Sequence, residues 1–233
     1  MQETLLFYIP HRQIVFVIPR MLRIFFPYKR RLLGDLCQAV VNVLLKYLQA
    51  TTHTKLPGIV ASIQTFKEKI NFHAHLHLLV IECGEDSEGR FHHLAEFQDS
   101  FLAEFFSLFL RRELISEAVV EKIMGWRHSG FSVHIKVRAQ TRQEAERVGK
   151  YIIRPLLSLE RLSLDERERK VCYRYGEKPE EVECMAYLAF IARVTCHIPD
   201  KGQVTVRYYG LYANAHRGKV HKAQPRQASL YYC

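Results

Sequence analysis

Residues 72–80 read FHAHLHLLV, and this stretch limits the possible folds more than any other. Successive side chains of a strand point to opposite faces, so residues two apart share a face. His73, His75 and His77 then line one face, while Phe72, Ala74, Leu76, Leu78 and Val80 line the other. The apolar side is core. The imidazole side is a row of nitrogen donors on a rigid element. Two imidazoles at i and i+2 aim the same way and can hold one divalent ion, leaving positions open for a substrate oxygen. Strand histidines also occur as satisfied core or surface residues, so spacing alone marks a candidate rather than a site.

The surrounding segments supply the partners such a strand needs. GIVASIQTF alternates as a strand and KEKIN links it to the histidine strand, so 58–82 reads as an antiparallel hairpin. QIVFVIP gives an earlier strand at 14–19. Residues 28–50 carry Leu32, Leu36, Val40, Val43, Leu44 and Leu48 at helical spacing, an amphipathic helix with a basic start. Residues 95–124 are helical, 129–139 a strand, and RQEAERVGKYIIRPL a helix that stops at Pro155. RKVCYRY (169–175) is a short strand, EEVECMAYLAFIARVTCHI a helix with a buried face, and QVTVRYYG the last strand. CGEDSEGR is a solvated acidic loop, and ANAHRGKVHKAQPRQ a polar, basic loop or frayed helix. Strands joined by hairpins rather than strict βαβ alternation predict an α+β domain, with a central antiparallel sheet flanked by helices.

Lysine and arginine number 34 against 24 acids, a net charge of +10. That excess suits a polyanionic partner, nucleic acid before an acidic membrane surface, or else a basic surface that only aids solubility. At 48% hydrophobic residues the chain is not of disordered composition. No apolar run is long enough to cross a bilayer, and IVFVIPRMLRIFF is broken by Pro19, Arg20 and Arg23. MQETLLFYIPHR lacks a basic leader and a small-residue cleavage site, so a cytoplasmic protein is expected. The six cysteines are scattered without a CxxC pair, which argues against a zinc knuckle and for free thiols.

A second feature lies at 206–219, VRYYGLYANAHRGK. Tyr208 and Tyr212 are four apart, a spacing that a helix would stack on one face. Arg207, Arg217 and Lys219 flank them. Tyrosines at this spacing also serve simply as packing residues.

Together these stretches resemble the HUH endonucleases, and within them the two-tyrosine rolling-circle transposases of the insertion-sequence ninety-one type. PHRQIVFVIPRMLRIFF, RRLLGDLC, SIQTF, FHAHLHLLV, WRHSGFSVH, YIIRPLLSLERL and HIPDKGQVTVRYYGLYANAHRGK carry the likeness in order over roughly residues 8–222. The resemblance implies one catalytic domain over 1–222 and a tail over 223–233. It implies a DNA transposase that nicks single-stranded DNA in rolling-circle transposition. His75 and His77 match the family's ligands for Mg²⁺ or Mn²⁺. Gln64, beside the histidine strand in the hairpin, is favoured as the third ligand over His73, which would instead orient a ligand or touch phosphate. Tyr208 and Tyr212 match the family's four-apart pair and would form 5′-phosphotyrosine links, with Tyr209 packing; an adduct on Tyr151 in the YIIRP block would displace them. Arg207, Arg217 and Lys219 would contact DNA. Family members carry a cysteine-rich region before the PHR block, so the chain reads as the catalytic core without it. Two rival readings are an inactive DNA-binding remnant and a cupin-like metal-dependent oxygenase, which also uses HxH on a strand.

Overall fold

The computed structural model describes Leu6 and residues 9–52, 57–82, 94–128 and 130–223. The strands are β1 (His11–Val17), β2 (Ile59–Phe66), β3 (Phe72–Ile81), β4 (Ser132–Ala139), β5 (Leu162–Asp165), β6 (Lys170–Arg174), β7 (Val182–Ala186) and β8 (Val206–Tyr209). The helices are α1 (Phe25–Tyr28), α2 (Arg31–Thr52), α3 (Leu94–Arg111), α4 (Glu117–Met124), α5 (Arg142–Ile152), α6 (Tyr187–Thr195) and α7 (Asn214–Ala223). Five strands form an antiparallel sheet in the order β4-β1-β3-β2-β8, and β5-β6-β7 form a smaller one. The expected α+β class, a central antiparallel sheet flanked by helices, is what the chain adopts. Among the described residues no helix is long and apolar enough to cross a membrane.

The alternation of β3 sets the layers. Its even-numbered side chains Ala74, Leu76, Leu78 and Val80 join Ile14 and Phe16 of β1 and Ala61 and Ile63 of β2 in one core. Helices α2 and α3 close that core with Leu36, Val40 and Leu44, and with Phe101, Phe105 and Phe109. Phe105 stacks on Phe109 at 4.3 Å and meets Phe131 edge-on at 4.9 Å. Each such side chain, buried completely, contributes roughly 1.5–3 kcal/mol. The opposite face carries the histidines and a smaller cluster in which Val60, Leu79 and Ile81 meet Ala145 and Ile152 of α5 and the Leu211–Tyr212 turn.

Three expectations are corrected. The stretch 95–124 is two helices, because the chain turns at Glu113 with φ of 53° before Ser116 begins α4. The helix expected over EEVECMAYLAFIARVTCHI is strand β7 followed by α6, in which no residue is buried. The backbone groups of β6 supply a ladder that local helical spacing cannot foresee, with Tyr173 opposite Glu183 and Cys172 opposite Cys184. Those two cysteines, expected as free thiols, are joined as a disulfide, while Cys37 and Cys196 are free. The expected acidic loop at CGEDSEGR lies outside the described residues.

Candidate functional site

Register places the donors side by side. Gln64 lies opposite His75 and Ser62 opposite His77 across β2 and β3, so all four share the face away from α2 and α3. The side chains of directly opposed strand residues stand about 5 Å apart at Cβ. The His75 and His77 rings are 4.9 Å apart at their centroids. His75 donates from Nδ1 to the His73 carbonyl at 2.7 Å, which fixes Nε2 as its lone-pair nitrogen. Gln13 Nε2, which can only donate, lies 3.0 Å from His77 Nδ1 and orients that ring with Nδ1 as the acceptor. Burial, with the charges of Arg23 and Lys67 added, holds His73 down at about 3. Burial likewise holds His75 at about 4. Both are neutral at pH 7, the form in which imidazole coordinates a cation.

Gln64 is 4% exposed and donates from Nε2 to the Ile152 carbonyl at 2.6 Å. A carbonyl can only accept, so the amide orientation is settled and Oε1 is the end left to bind a cation. Ser62 Oγ donates to the same carbonyl at 3.2 Å. Ile152 is the last residue of α5, whose C-terminal carbonyls have no helical partner. The helix begins at a capping box, Thr141 with Glu144, and turns Ala145, Gly149 and Ile152 inward. Its end is thereby pinned onto β2, and the neighbouring residue, Tyr151, falls beside His77. The Tyr151 ring meets His77 edge-on at 6.1 Å and is 43% exposed. Arg154 lies with its guanidinium carbon 4.8 Å from the Tyr151 ring centre. Two imidazoles, an amide oxygen, a solvent-reachable phenol and an arginine therefore converge on one patch.

The tyrosines expected at the site lie elsewhere on the same face. Tyr208 is opposite Val60, and Val60 is opposite Leu79. That puts Tyr208 two strands from His77 and one residue pair along, roughly 12 Å by strand spacing and rise. Tyr209 points the other way, toward Cys37, and burial pushes its hydroxyl up to about 12. Tyr208 and Tyr212 share no helix: the first is in β8 and the second in a 3₁₀ turn. Tyr212 is fully buried and bonds His11, which pairs with Ile81 at the far end of β3. Arg217 lies over the Tyr208 ring at 5.2 Å, and Arg207 reaches the Gly34 carbonyl on the α2 side. The side chain of Lys219 lies outside the described residues. His73 continues the row, its ring 5.0 Å from that of His75, beside a cleft of about 760 Å³ lined by Arg20, Arg23, Lys67 and Lys69 with one acid, Glu68. Tyr151 had a sequence signal, an aromatic beside the buried stripe in the last turn of α5 with arginine three residues on. The open sheet, with β4 and β8 at its edges, is not the double-sheet jelly roll of a cupin.

A family model described as "Putative transposase" matches residues 58–219, more than half of the chain. The chain belongs to that transposase family. The matched region holds Gln64, His75, His77, Tyr151 and Arg154, while β1 and α2 precede it. This transposase-family chain is also 25% identical over 227 residues to the transposase for insertion sequence element IS801 of Pseudomonas savastanoi pv. phaseolicola. The match takes in 88% of the chain and 55% of that protein, so the chain spans about half the length of its relative. No solved structure matches it.

Proposed function

We propose that the chain is the nicking and joining domain of a rolling-circle DNA transposase, acting on single-stranded DNA. The observation that carries this reading is the pinning of the α5 terminus to Ser62 and Gln64, which holds Tyr151 beside the histidine pair. His75 Nε2, His77 and Gln64 Oε1 would hold Mg²⁺ or Mn²⁺, His77 through Nε2 once the Gln13 amide is turned so that its Oε1 accepts from Nδ1. His75 and Gln64 fit such an ion, being neutral and oriented through their other polar atoms. When bound, the ion supplies Lewis-acid charge against the scissile phosphate.

The chain's own groups do the rest. Arg20, Arg23, Lys67 and Lys69 attract the DNA backbone toward His73. The Tyr151 hydroxyl oxygen attacks phosphorus, the bond from phosphorus to the 3′ oxygen breaks, and the tyrosine proton ends on the released 3′-hydroxyl. Arg154, against the Tyr151 ring, stabilises the charge that develops on phosphate oxygens. Phosphate stays on tyrosine as a 5′ link, so attack by another 3′-hydroxyl reverses the step and joins a new strand. In this reading Tyr151 takes the role expected of Tyr208 and Tyr212, which act in packing. The His75→Ala/His77→Ala double variant tests the site: divalent-dependent nicking of single-stranded DNA should vanish while the melting transition persists. Undiminished nicking would remove the histidines from the reaction.

A further inference from the structure

A cavity of about 430 Å³ opens on the side of β2 that faces β8; Gln64 and Arg154 form part of its wall, and the chemistry above does not use its interior. Its walls are largely apolar, from Ile63, Phe66, Pro155, Leu156 and Ile198, and Gln203 adds a polar amide. The volume lies within the roughly 300–1,000 Å³ range of small-molecule pockets. Its position is more telling than its size. The Arg154 guanidinium carbon is 4.8 Å from the Tyr151 ring and 6.0 Å from the Phe66 ring, so one cation spans the nucleophile and the cavity wall. A phosphate drawn to Arg154 thus has the base of an adjoining nucleotide within reach of Phe66. His197 backs that wall, edge-on to Phe66 at 6.0 Å and stacked on Phe72 at 5.7 Å. Its ring nitrogens are bound to Thr65 Oγ1 and the Ile70 carbonyl, which keeps the wall rigid.

We infer that this cavity receives one unpaired base flanking the scissile phosphate, stacked against Phe66 and held at its edge by Gln203. The inference rests on the proposed site and adds a reason for single-strand preference: a base in a duplex is paired and stacked and cannot enter. Stacking of a base on an aromatic side chain is worth roughly 1–3 kcal/mol, or about a five- to hundredfold change in affinity.

Fluorescence anisotropy without divalent ions separates base from backbone binding. The probes are a short oligothymidylate and an abasic strand of the same length. Wild type should prefer the oligothymidylate by about tenfold. Leu156→Trp, which fills the cavity, should reduce that preference to under twofold and leave affinity for the abasic strand unchanged. Ile198→Trp, at the exposed rim, repeats the test at a position that the fold does not depend on. Equal wild-type affinity for both strands, or a preference that survives both tryptophans, overturns the assignment. Failure of wild type to nick any single strand overturns the catalytic reading instead, and the binding comparison decides the cavity independently.

Discussion

The Ile152 carbonyl has two donors, Ser62 Oγ at 3.2 Å and Gln64 Nε2 at 2.6 Å, and this makes the two side chains energetically dependent on each other. Removing either one in Ser62→Ala or Gln64→Leu leaves the carbonyl a partner, so each should lower stability by only ~1 kcal/mol, the net value of a typical hydrogen bond. Removing both leaves a buried carbonyl at a helix end without a partner, which adds part of a desolvation penalty of about 1–3 kcal/mol. The double variant should therefore lose ~1 kcal/mol more than the two singles together. In a chain of this length 1 kcal/mol moves the melting temperature by about 2–4 °C. Urea denaturation in EDTA, followed by circular dichroism, gives the three values without any contribution from a bound ion. Effects that add to within about 0.5 kcal/mol, as independent sites do, would refute the pinning of α5.

Acid should weaken the fold. His11 is fully buried, and burial lowers its pKa from 6.5 to about 4, so the unfolded chain takes up a proton below pH 6.5 that the folded chain refuses. Stability is complete above pH 6.5, and His11 alone accounts for a fall of about 3 kcal/mol toward pH 4, to which the buried His73 and His75 add; His11→Gln should make the slope shallower by that share in thermal melts. Gly210 has φ of 59°, and a Cβ there would sit 1.6 Å from the Pro57 carbonyl oxygen, so Gly210→Ala should cost at least ~2 kcal/mol in urea titrations. A loss under ~0.5 kcal/mol would mean that the turn before Tyr212 relaxes freely. Binding to single-stranded DNA should weaken steeply with salt, with a log–log slope of about −0.7 per phosphate contact; affinity that stays flat would contradict the basic cleft beside His73.

The histidine face was legible because a period of two in β3 is a local property, and the hairpin that brings Gln64 opposite His75 needs only a short connection. Tyr208 and Tyr209 pointing to opposite faces followed from the same alternation. Tyr151 was legible only as the alternative to Tyr208 and Tyr212, because its placement beside His77 depends on contacts from Ile152 to Ser62 and Gln64, 90 and 88 residues away. The four-residue spacing of Tyr208 and Tyr212 suggested a helix, but Gly210 with its positive φ ends β8 and turns Tyr212 into the core. Strand β7 was hidden for a similar reason: the apolar spacing of YLAFIARV in α6 continues upstream into VECMA, and only pairing with β6 separates the two.

The direct test of the account is the identity of the tyrosine that carries DNA. Single-stranded DNA incubated with the protein and Mn²⁺, then digested and mapped by mass spectrometry, should yield a nucleotide adduct on the peptide containing Tyr151. Tyr151→Phe should abolish it, and Tyr208→Phe/Tyr212→Phe should retain it. An adduct on Tyr208 or Tyr212, or one that persists in Tyr151→Phe, would contradict the account.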